Sequence, residues 1–482
     1  MSSAFPRPDG PGTFKPIDAG GRPLYRQDTV EYTAFYAPGC LCVVDTPDAD
    51  SFESTLGEPE IQHPEKARYL QPEKHWAAKL WRHADRALAY GTDLQRGPFS
   101  PECLTLYLNN ECNLHCTYCY ADPSPSPTPR LELETIAAAA ELVAESCRQK
   151  NLPFHAVFHG GGEPTLHPER VNAILERLDK VAQAHEVKLV RYVATNGFMP
   201  ENKARWLARH FDRVGLSCDG PPEIQDRQRP LRDGGSSARI VERTAHILRE
   251  EGCPFHVRAT ITPETVHRQA EVADYVCQQL SPQEIHLEPV YMGGRTDATN
   301  GLDARQAAEF VACWVEARKV SRQHGIPLTT SGSRPGSLHG PYCNVFRSVL
   351  NLVPGGLATA CFKITKAPLA LEVGAAIGSL NVKSGRFEID HPRVQALRQQ
   401  LGAFPAVCSD CLNRYHCVRG CPDICPLEDG VDQSGGLETS FRCRMLKSLT
   451  YAVLARTATR LWSSEQNKEV ELGARVRGTT AF

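Results

Sequence analysis

Eleven consecutive residues constrain this chain more than any other stretch: Asn110-Glu111-Cys112-Asn113-Leu114-His115-Cys116-Thr117-Tyr118-Cys119-Tyr120. The cysteines are spaced C-x3-C-x2-C, with an aromatic residue just before the last. Three thiolates on one short loop hold three corners of a cubane [4Fe–4S] cluster and leave the fourth iron without a protein ligand. An open iron takes a small chelating molecule, which turns an electron wire into a catalyst. Blander readings fit less well. Structural zinc uses paired knuckles that supply four ligands, whereas this run stops at three and the next cysteine, Cys147, falls in a helical pattern. Disulfides are disfavoured because no secretory signal precedes the run. Three independent buried thiols would not be grouped so tightly at a strand end.

Composition narrows the class. The chain has 482 residues, room for two or three domains. With 54 Lys+Arg against 56 Asp+Glu and no basic block, nucleic acid is not an expected partner. No apolar run approaches the roughly 18 residues of a membrane span, and the N-terminus lacks a charged-then-apolar leader, so a cytoplasmic location is expected. Nineteen cysteines in a reducing compartment suggest metal rather than disulfides. Eight of them lie between Cys343 and Cys443.

Patterning divides the chain. Residues 1–100 read as a capping or substrate-recognition region. It has a loose Pro/Gly-rich start, strand material over Tyr32–Val44 broken by Pro38-Gly39, and a helix over His75–Ala89. From residue 101 strands alternate with helices. Strands are predicted at Leu104–Leu108, Phe154–Phe158, Leu189–Ala194, Val214–Ser217, Phe255–Ile261 and Ile285–Val290. Helices are predicted at Leu133–Arg148, Pro168–Ala184, Ala238–Glu250 and Thr265–Gln279. Six strand–helix units through residue 300 imply a parallel sheet with right-handed crossovers. They fall short of an eight-stranded barrel, so the fold class is α/β with a partial (β/α)6 barrel and its site at the carboxyl ends of the strands. A bridging helix at Asp303–Gly325 falls in residues 301–341; a small Cys-rich domain occupies 342–445; a helix over Met445–Trp462 and a frayed polar tail make up 446–482.

The cysteine loop resembles the radical S-adenosylmethionine (radical SAM) enzymes, whose pattern is C-x3-C-x-aromatic-C. The resemblance extends to Gly161-Gly162-Glu163-Pro164 after the second strand, a G-G-E-P motif that binds the SAM amino group in that family. It continues through Ala194-Thr195-Asn196-Gly197, Ser217-Cys218-Asp219-Gly220, Asp226-x-x-Arg229 and Gly234-Gly235-Ser236-Ser237, each following a strand in order. His159-Gly160-Gly161-Gly162 also matches the oxyanion loop of lipases, but the required G-x-S-x-G elbow is missing: Asp219 stands where its second glycine belongs. The resemblance implies that Cys112, Cys116 and Cys119 hold the SAM-binding cluster. It also implies that Tyr118, Gly161, Gly162, Glu163, Pro164, Asn196, Ser217, Arg229 and Arg258 lie around SAM. One electron from the cluster would cleave SAM, and the 5′-deoxyadenosyl radical would take a hydrogen atom from substrate. Glu288 and His286, on one face of the sixth strand, are candidates for moving a proton.

The C-terminal cysteines resemble the seven-cysteine SPASM pattern. Cys343 is followed by twelve residues, Gly356, four residues and Cys361; then come Cys408-x2-Cys411-x5-Cys417-x3-Cys421, and finally Cys443. SPASM domains bind two auxiliary [4Fe–4S] clusters, which makes three clusters with the first. Carried over, Cys408, Cys411, Cys417 and Cys443 hold the outer one. Cys343, Cys361 and Cys421 hold the inner one, whose fourth ligand is either the spare thiol Cys425 or a substrate. Paired zinc knuckles remain compatible with the C-x2-C spacing taken alone.

SPASM relatives modify peptides or proteins, so the resemblance implies a peptide or small-protein substrate, thioether or carbon–carbon crosslink formation, and a flavodoxin- or ferredoxin-type electron donor. Sulfatase maturases, the near alternative, usually carry Asp directly after the cysteine matching Cys361; here that residue is Phe362. Radical chemistry on a small molecule and a non-catalytic electron carrier are the remaining readings.

Overall fold

The structure is a computed structural model that describes residues 13–62, 72–93, 97–123, 129–297, 299–421, 425, 440–463 and 476–479. The Pro/Gly-rich start, residues 1–12, lies outside these.

Two sheets organise the described chain. The first contains β1 (Lys15–Pro16), β2 (Tyr25–Asp28), β3 (Tyr32–Ala37) and β4 (Cys40–Asp45), paired in sequence order. Pro38-Gly39 forms the turn between β3 and β4, where Gly39 adopts φ +91°, a conformation open to glycine at little cost. Side chains alternate across β4. Cys40 and Cys42 face Phe52 and the helix Pro72–Asp93, whereas Leu41 and Val43 face Leu454 and Ala458 of the final helix, Phe441–Ser463. Both cysteines are buried, and burial pushes the Cys40 thiol up to about 12, as expected of inert core thiols.

The second sheet carries the predicted alternation: β5 (Cys103–Leu106), β6 (Phe154–Phe158), β7 (Leu189–Thr195), β8 (Arg213–Ser217), β9 (Phe255–Ile261) and β10 (Ile285–Pro289). Each pairs in parallel with the next. The crossover helices Leu133–Lys150, Pro168–Ala184 and Ala238–Glu250 bury one apolar face each against it. Pro168 opens its helix at a position where no N–H is needed. Asn151 closes Leu133–Lys150 in a left-handed conformation at φ 53°. The sheet does not close on itself: β11 (Leu328–Thr329) forms one end. At the other end the C-terminal strands β12 (Val349–Val353), β13 (Leu357–Thr359), β14 (Ala376–Asn381) and β15 (Arg386–Ile389) extend it, with β12 parallel to β5.

The structure corrects three local expectations. Thr265–Gln279 is not one helix but a 3-10 turn (Val266–Arg268), an α segment (Gln269–Tyr275) and a π turn (Val276–Leu280). The buried Gln269 amide donates to the carbonyls of Val266 and Phe310 and ties this segment to the helix Ala307–Gln323. A helix at Glu201–His210 escaped the pattern because it buries only Ala204 and Leu207. The tail is not frayed throughout: β16 (Val476–Thr479) pairs antiparallel with β4 and covers an edge that would otherwise leave backbone groups unpaired.

Candidate active site and cysteine clusters

The cysteine loop leaves the carboxyl end of β5 and is tied down on every side. His115 N–H donates to the Pro230 carbonyl at 2.8 Å and Thr117 N–H to that of Gln228 at 2.9 Å. All three cysteine carbonyls accept: Cys112 from Arg232 Nε at 3.2 Å, Cys116 from Arg295 Nη1 at 2.9 Å, and Cys119 from the Arg295 N–H at 3.1 Å. The thiols are thus presented by backbone that the fold already holds.

The Gly161-Gly162 turn lies directly against this loop. Gly162 N–H donates to Asn109 O at 3.0 Å and Glu163 N–H to Glu111 O at 2.8 Å. A Cβ at Gly162 would sit 1.8 Å from the Glu111 carbonyl oxygen, and one at Gly161 would sit 2.7 Å from that of Asn109. No other residue permits this approach. Pro164 opens the short 3-10 turn that follows, and Glu163 caps it. The Glu163 carboxylate is buried and hydrogen-bonded through both oxygens: Oε1 accepts from Thr165 Oγ1 at 2.7 Å and Thr195 Oγ1 at 2.8 Å, and Oε2 accepts from Asn196 N–H at 2.7 Å. Asn196 carries the tie back to the cysteine loop, its Nδ2 donating to Asn113 Oδ1 at 2.8 Å and lying 3.7 Å from Cys112 Sγ.

A second carboxylate, Asp219, went unassigned in the sequence because Asp-Gly after a strand is ordinary turn chemistry. It is 0% exposed. Oδ2 accepts from Tyr118 Oη at 2.6 Å and Gln228 Nε2 at 2.8 Å and pairs with Arg229 Nε at 3.0 Å; Oδ1 accepts from Thr260 N–H at 2.9 Å. The Arg229 guanidinium also lies 5.4 Å from the Tyr118 ring, and its ion pair with Asp219 offsets burial and holds it charged. Tyr118, between two of the cysteines, is therefore locked to the ends of β8 and β9. Ser217 ends β8 directly beside Arg258 of β9.

Further round the sheet, Arg258 Nη2 donates to Tyr291 Oη at 2.6 Å and lies 3.9 Å from Glu288 Oε2. Glu288 is 2% exposed. Its Oε1 accepts from the N–H and hydroxyl of Ser331, at 2.8 and 2.6 Å, while Oε2 has no hydrogen-bond donor. His286 lies 3.2 Å from Glu284 through Nε2 and 3.9 Å from Glu288 Oε1 through Nδ1.

The C-terminal thiols fall into two groups. Cys408, Cys411, Cys417 and Cys443 line one cavity together with Arg414, Arg419 and Lys447. Arg419 N–H donates to Cys417 Sγ at 3.4 Å. Cys343, Cys361 and Cys421 do not line that cavity, and the neighbours of the first two are joined where Asn344 N–H donates to Ala360 O at 2.8 Å. This second group touches the first loop through Tyr107 Oη, which donates to Phe362 O at 2.7 Å. The Phe362 ring packs edge-on against Tyr120, Tyr291 and Tyr342 at 6.3, 6.0 and 5.9 Å.

These groups suit iron–sulfur clusters. Burial above all, with neighbouring acidic groups and thiols adding to it, pushes the thiols of Cys112 and Cys361 up to about 11 and those of Cys116 and Cys408 up to about 12, so thiolates there require a compensating metal. Among the described residues, no three His, Cys, Asp or Glu side chains converge tightly enough for a single metal ion. No described helix is long and apolar enough to cross a membrane.

The comparisons with known proteins agree with this geometry. The profile of the Radical SAM superfamily matches residues 106–276, from the end of β5 to the π turn. A cysteine-type anaerobic sulfatase-maturating enzyme of Clostridium perfringens is 29% identical over 169 residues, 34% of this chain and 45% of the relative. An uncharacterized protein of Methanocaldococcus jannaschii is 27% identical over 175 residues, 36% of this chain and 57% of the relative. The chain thus spans about half the length of the curated relatives it matches. Among solved structures, native anSMEcpe with bound AdoMet aligns with a TM-score of 0.57 over 74% of this chain and 99% of that one, at 19% identity, and so shares the fold. A domain of this family works with S-adenosylmethionine and a [4Fe–4S] cluster. Residues 106–276 thus match the domain of the Radical SAM superfamily.

Proposed function

We propose that the chain is a SPASM-type maturase that modifies a ribosomal peptide or small protein by forming a thioether or carbon–carbon crosslink. In this reading Cys112, Cys116 and Cys119 ligate the SAM-binding cluster. Cys408, Cys411, Cys417 and Cys443 ligate an outer auxiliary cluster, and Cys343, Cys361 and Cys421 an inner one. When bound, the reduced first cluster and SAM supply a 5′-deoxyadenosyl radical that removes a hydrogen atom from substrate.

The chain's own residues do the rest. Gly161 and Gly162 bring backbone against the cysteine loop. The Glu163 carboxylate is spent on Thr165, Thr195 and Asn196, so it acts by fixing that turn. Asp219 and Arg229 fix Tyr118. Arg258 and Ser217 lie beside the SAM site, and Glu288, with one oxygen free of donors, is the group that accepts a proton from substrate. A flavodoxin- or ferredoxin-type protein supplies the electron, and the chain works in the cytoplasm.

The observation that carries this reading is the separation of the C-terminal thiols into two groups, one of them joined to the first loop through Tyr107 and Phe362. Phe362 supports crosslinking over sulfatase maturation, because it stands where sulfatase maturases usually carry Asp and its ring packs against Tyr120, Tyr291 and Tyr342. The second reading, formylglycine formation, draws support from the sulfatase-maturating relative and from anSMEcpe, which is also known with AdoMet and the Kp18Cys peptide.

The test is anaerobic co-expression with a Cys-containing peptide from an adjacent reading frame, followed by mass spectrometry. The expected product has lost a pair of hydrogens and resists alkylation at cysteine. Conversion of a sulfatase peptide to formylglycine instead establishes the second reading. The Cys411→Ala variant is expected to keep SAM cleavage without substrate while losing product.

A further inference from the structure

A turn that lies beyond the matched residues 106–276 packs onto the first cysteine loop. Just after β10, Gly293 N–H donates to Thr296 O at 2.8 Å and Thr296 N–H to Gly293 O at 3.1 Å, which closes the turn. Gly294, the first of its two central residues, adopts φ 60° and rests on the backbone of the loop. A Cβ there would lie 2.3 Å from Cys119 O and 2.5 Å from Tyr120 O, so only glycine fits. The second central residue, Arg295, makes three ties. Its N–H donates to Cys119 O at 3.1 Å, its Nη1 to Cys116 O at 2.9 Å, and its Nε to Asp122 Oδ1 at 2.8 Å. Thr296 Oγ1 adds a bond to Tyr118 O at 3.3 Å, and Asn300 Nδ2 holds the Arg295 carbonyl at 3.0 Å.

One residue therefore spans the last two cysteines of the loop, with its main chain on Cys119 and its guanidinium on Cys116. A guanidinium suits this place because its rigid fork aims several donors in fixed directions, whereas an ammonium is a point charge. The Arg295 side chain is 16% exposed and its partner Asp122 is 61% exposed, so water screens the anion more than the cation. Two other arginines stand by the loop and differ from it. Arg229 is paired with the buried Asp219 at 3.0 Å. Arg232 donates to Cys112 O at 3.2 Å from an exposed position.

We propose that Arg295 is a positioning residue for the SAM-binding cluster: its fork holds Cys116 at a fixed spacing from Cys119, and its charge favours the reduced state. This role rests on the proposed ligation by Cys112, Cys116 and Cys119. Cysteines whose backbone is held keep the open iron in one place for SAM to chelate. Groups that orient metal ligands in this way typically contribute about 10–100-fold. A cation beside the ligands also lowers the cost of adding an electron, because the potential of an iron–sulfur site follows the charge around it.

The test uses the whole chain, reconstituted anaerobically. Electron paramagnetic resonance identifies the relevant signal as the one that changes when SAM is added, and a redox titration reads its midpoint potential. Arg295→Gln is expected to lower that potential by about tenfold in the reduced-to-oxidised ratio, about 59 mV for one electron, and to raise the KM for SAM. Arg295→Lys is expected to restore the potential but not the KM, because it returns the charge without the fork. Arg232→Gln, the exposed counterpart, is expected to shift the potential less. An unchanged potential in Arg295→Gln, or an equal shift in Arg232→Gln, overturns the inference. If Arg295→Gln does not fold, Arg295→Lys decides: a KM for SAM equal to that of the wild type overturns it. Absence of any SAM-responsive signal in the wild type overturns the proposed ligand set and this role together. A SAM-responsive signal indifferent to the side chain at position 295 overturns this role alone.

Discussion

The two cysteine-rich regions present their thiols by different means. In the first, the cysteine loop emerges from the end of a strand in a parallel sheet, and two buried carboxylates, Glu163 and Asp219, bind it to the ends of β7, β8 and β9. In the second, the thiols of Cys408–Cys421 sit in 3-10 turns and loops held by local backbone bonds such as Cys411 N–H to Cys408 O at 3.3 Å. The first region is preorganised by protein. The second has only short local ties, and with the proposed clusters bound, metal would supply much of its order, because structural metal binding is itself folding energy. A catalyst gains from the former arrangement, since an open iron must stay positioned while small molecules come and go.

The most drastic way to break the comparison is at the first loop. Cys116→Ala is expected to reduce 5′-deoxyadenosine formation to background while leaving the circular dichroism spectrum intact, because carbonyl and amide ties still hold the loop. A collapse of the fold in this variant would contradict preorganisation.

Removing iron probes the other side. After chelation of iron from the native protein, amide exchange is expected to rise strongly across Cys408–Cys421 and to change little over Val193–Gly220. Equal rises in both segments would erase the distinction.

Asp219→Asn tests the buried network directly. It leaves the Arg229 guanidinium buried without its counter-charge, an expected loss of roughly 3–5 kcal/mol, readable by chemical denaturation. Glu163→Gln is gentler, because its amide retains one acceptor oxygen.

Acidification tests the buried imidazoles. Burial holds the His159 and His256 imidazoles neutral, at about 4 rather than the usual 6.5. The unfolded chain binds protons there first, so this stability is whole above pH 6.5 and is lost as pH falls from 6.5 toward 4. His256→Asn is expected to flatten that slope in urea titrations; an unchanged slope would assign the acid sensitivity to other groups.

Much of the fold was legible because its signals are local. Phe154–Phe158, Pro168–Ala184, Ala238–Glu250 and Phe255–Ile261 form as the periodicity predicts. Parallel strands buried on both faces read as apolar runs, and their covering helices show a single apolar stripe. The polar helix Glu201–His210 and the interrupted segment after Thr265 carry no such signal, since contacts with other elements shape them.

By itself the sequence determined the chemistry on offer: which thiols lie on one loop, which glycines permit close approach, and that strands alternate with helices. Spacing along a chain fixes short-range geometry, because a few residues can reach only a few ångströms. Tertiary structure alone decided what lies across the sheet from what. It turned the Asp219 of an ordinary turn into the anchor of Tyr118, bent the tail strand β16 onto β4, and joined β12 to β5. These are contacts between residues tens to hundreds of positions apart, and the packing of buried surface selects them, which no local pattern encodes.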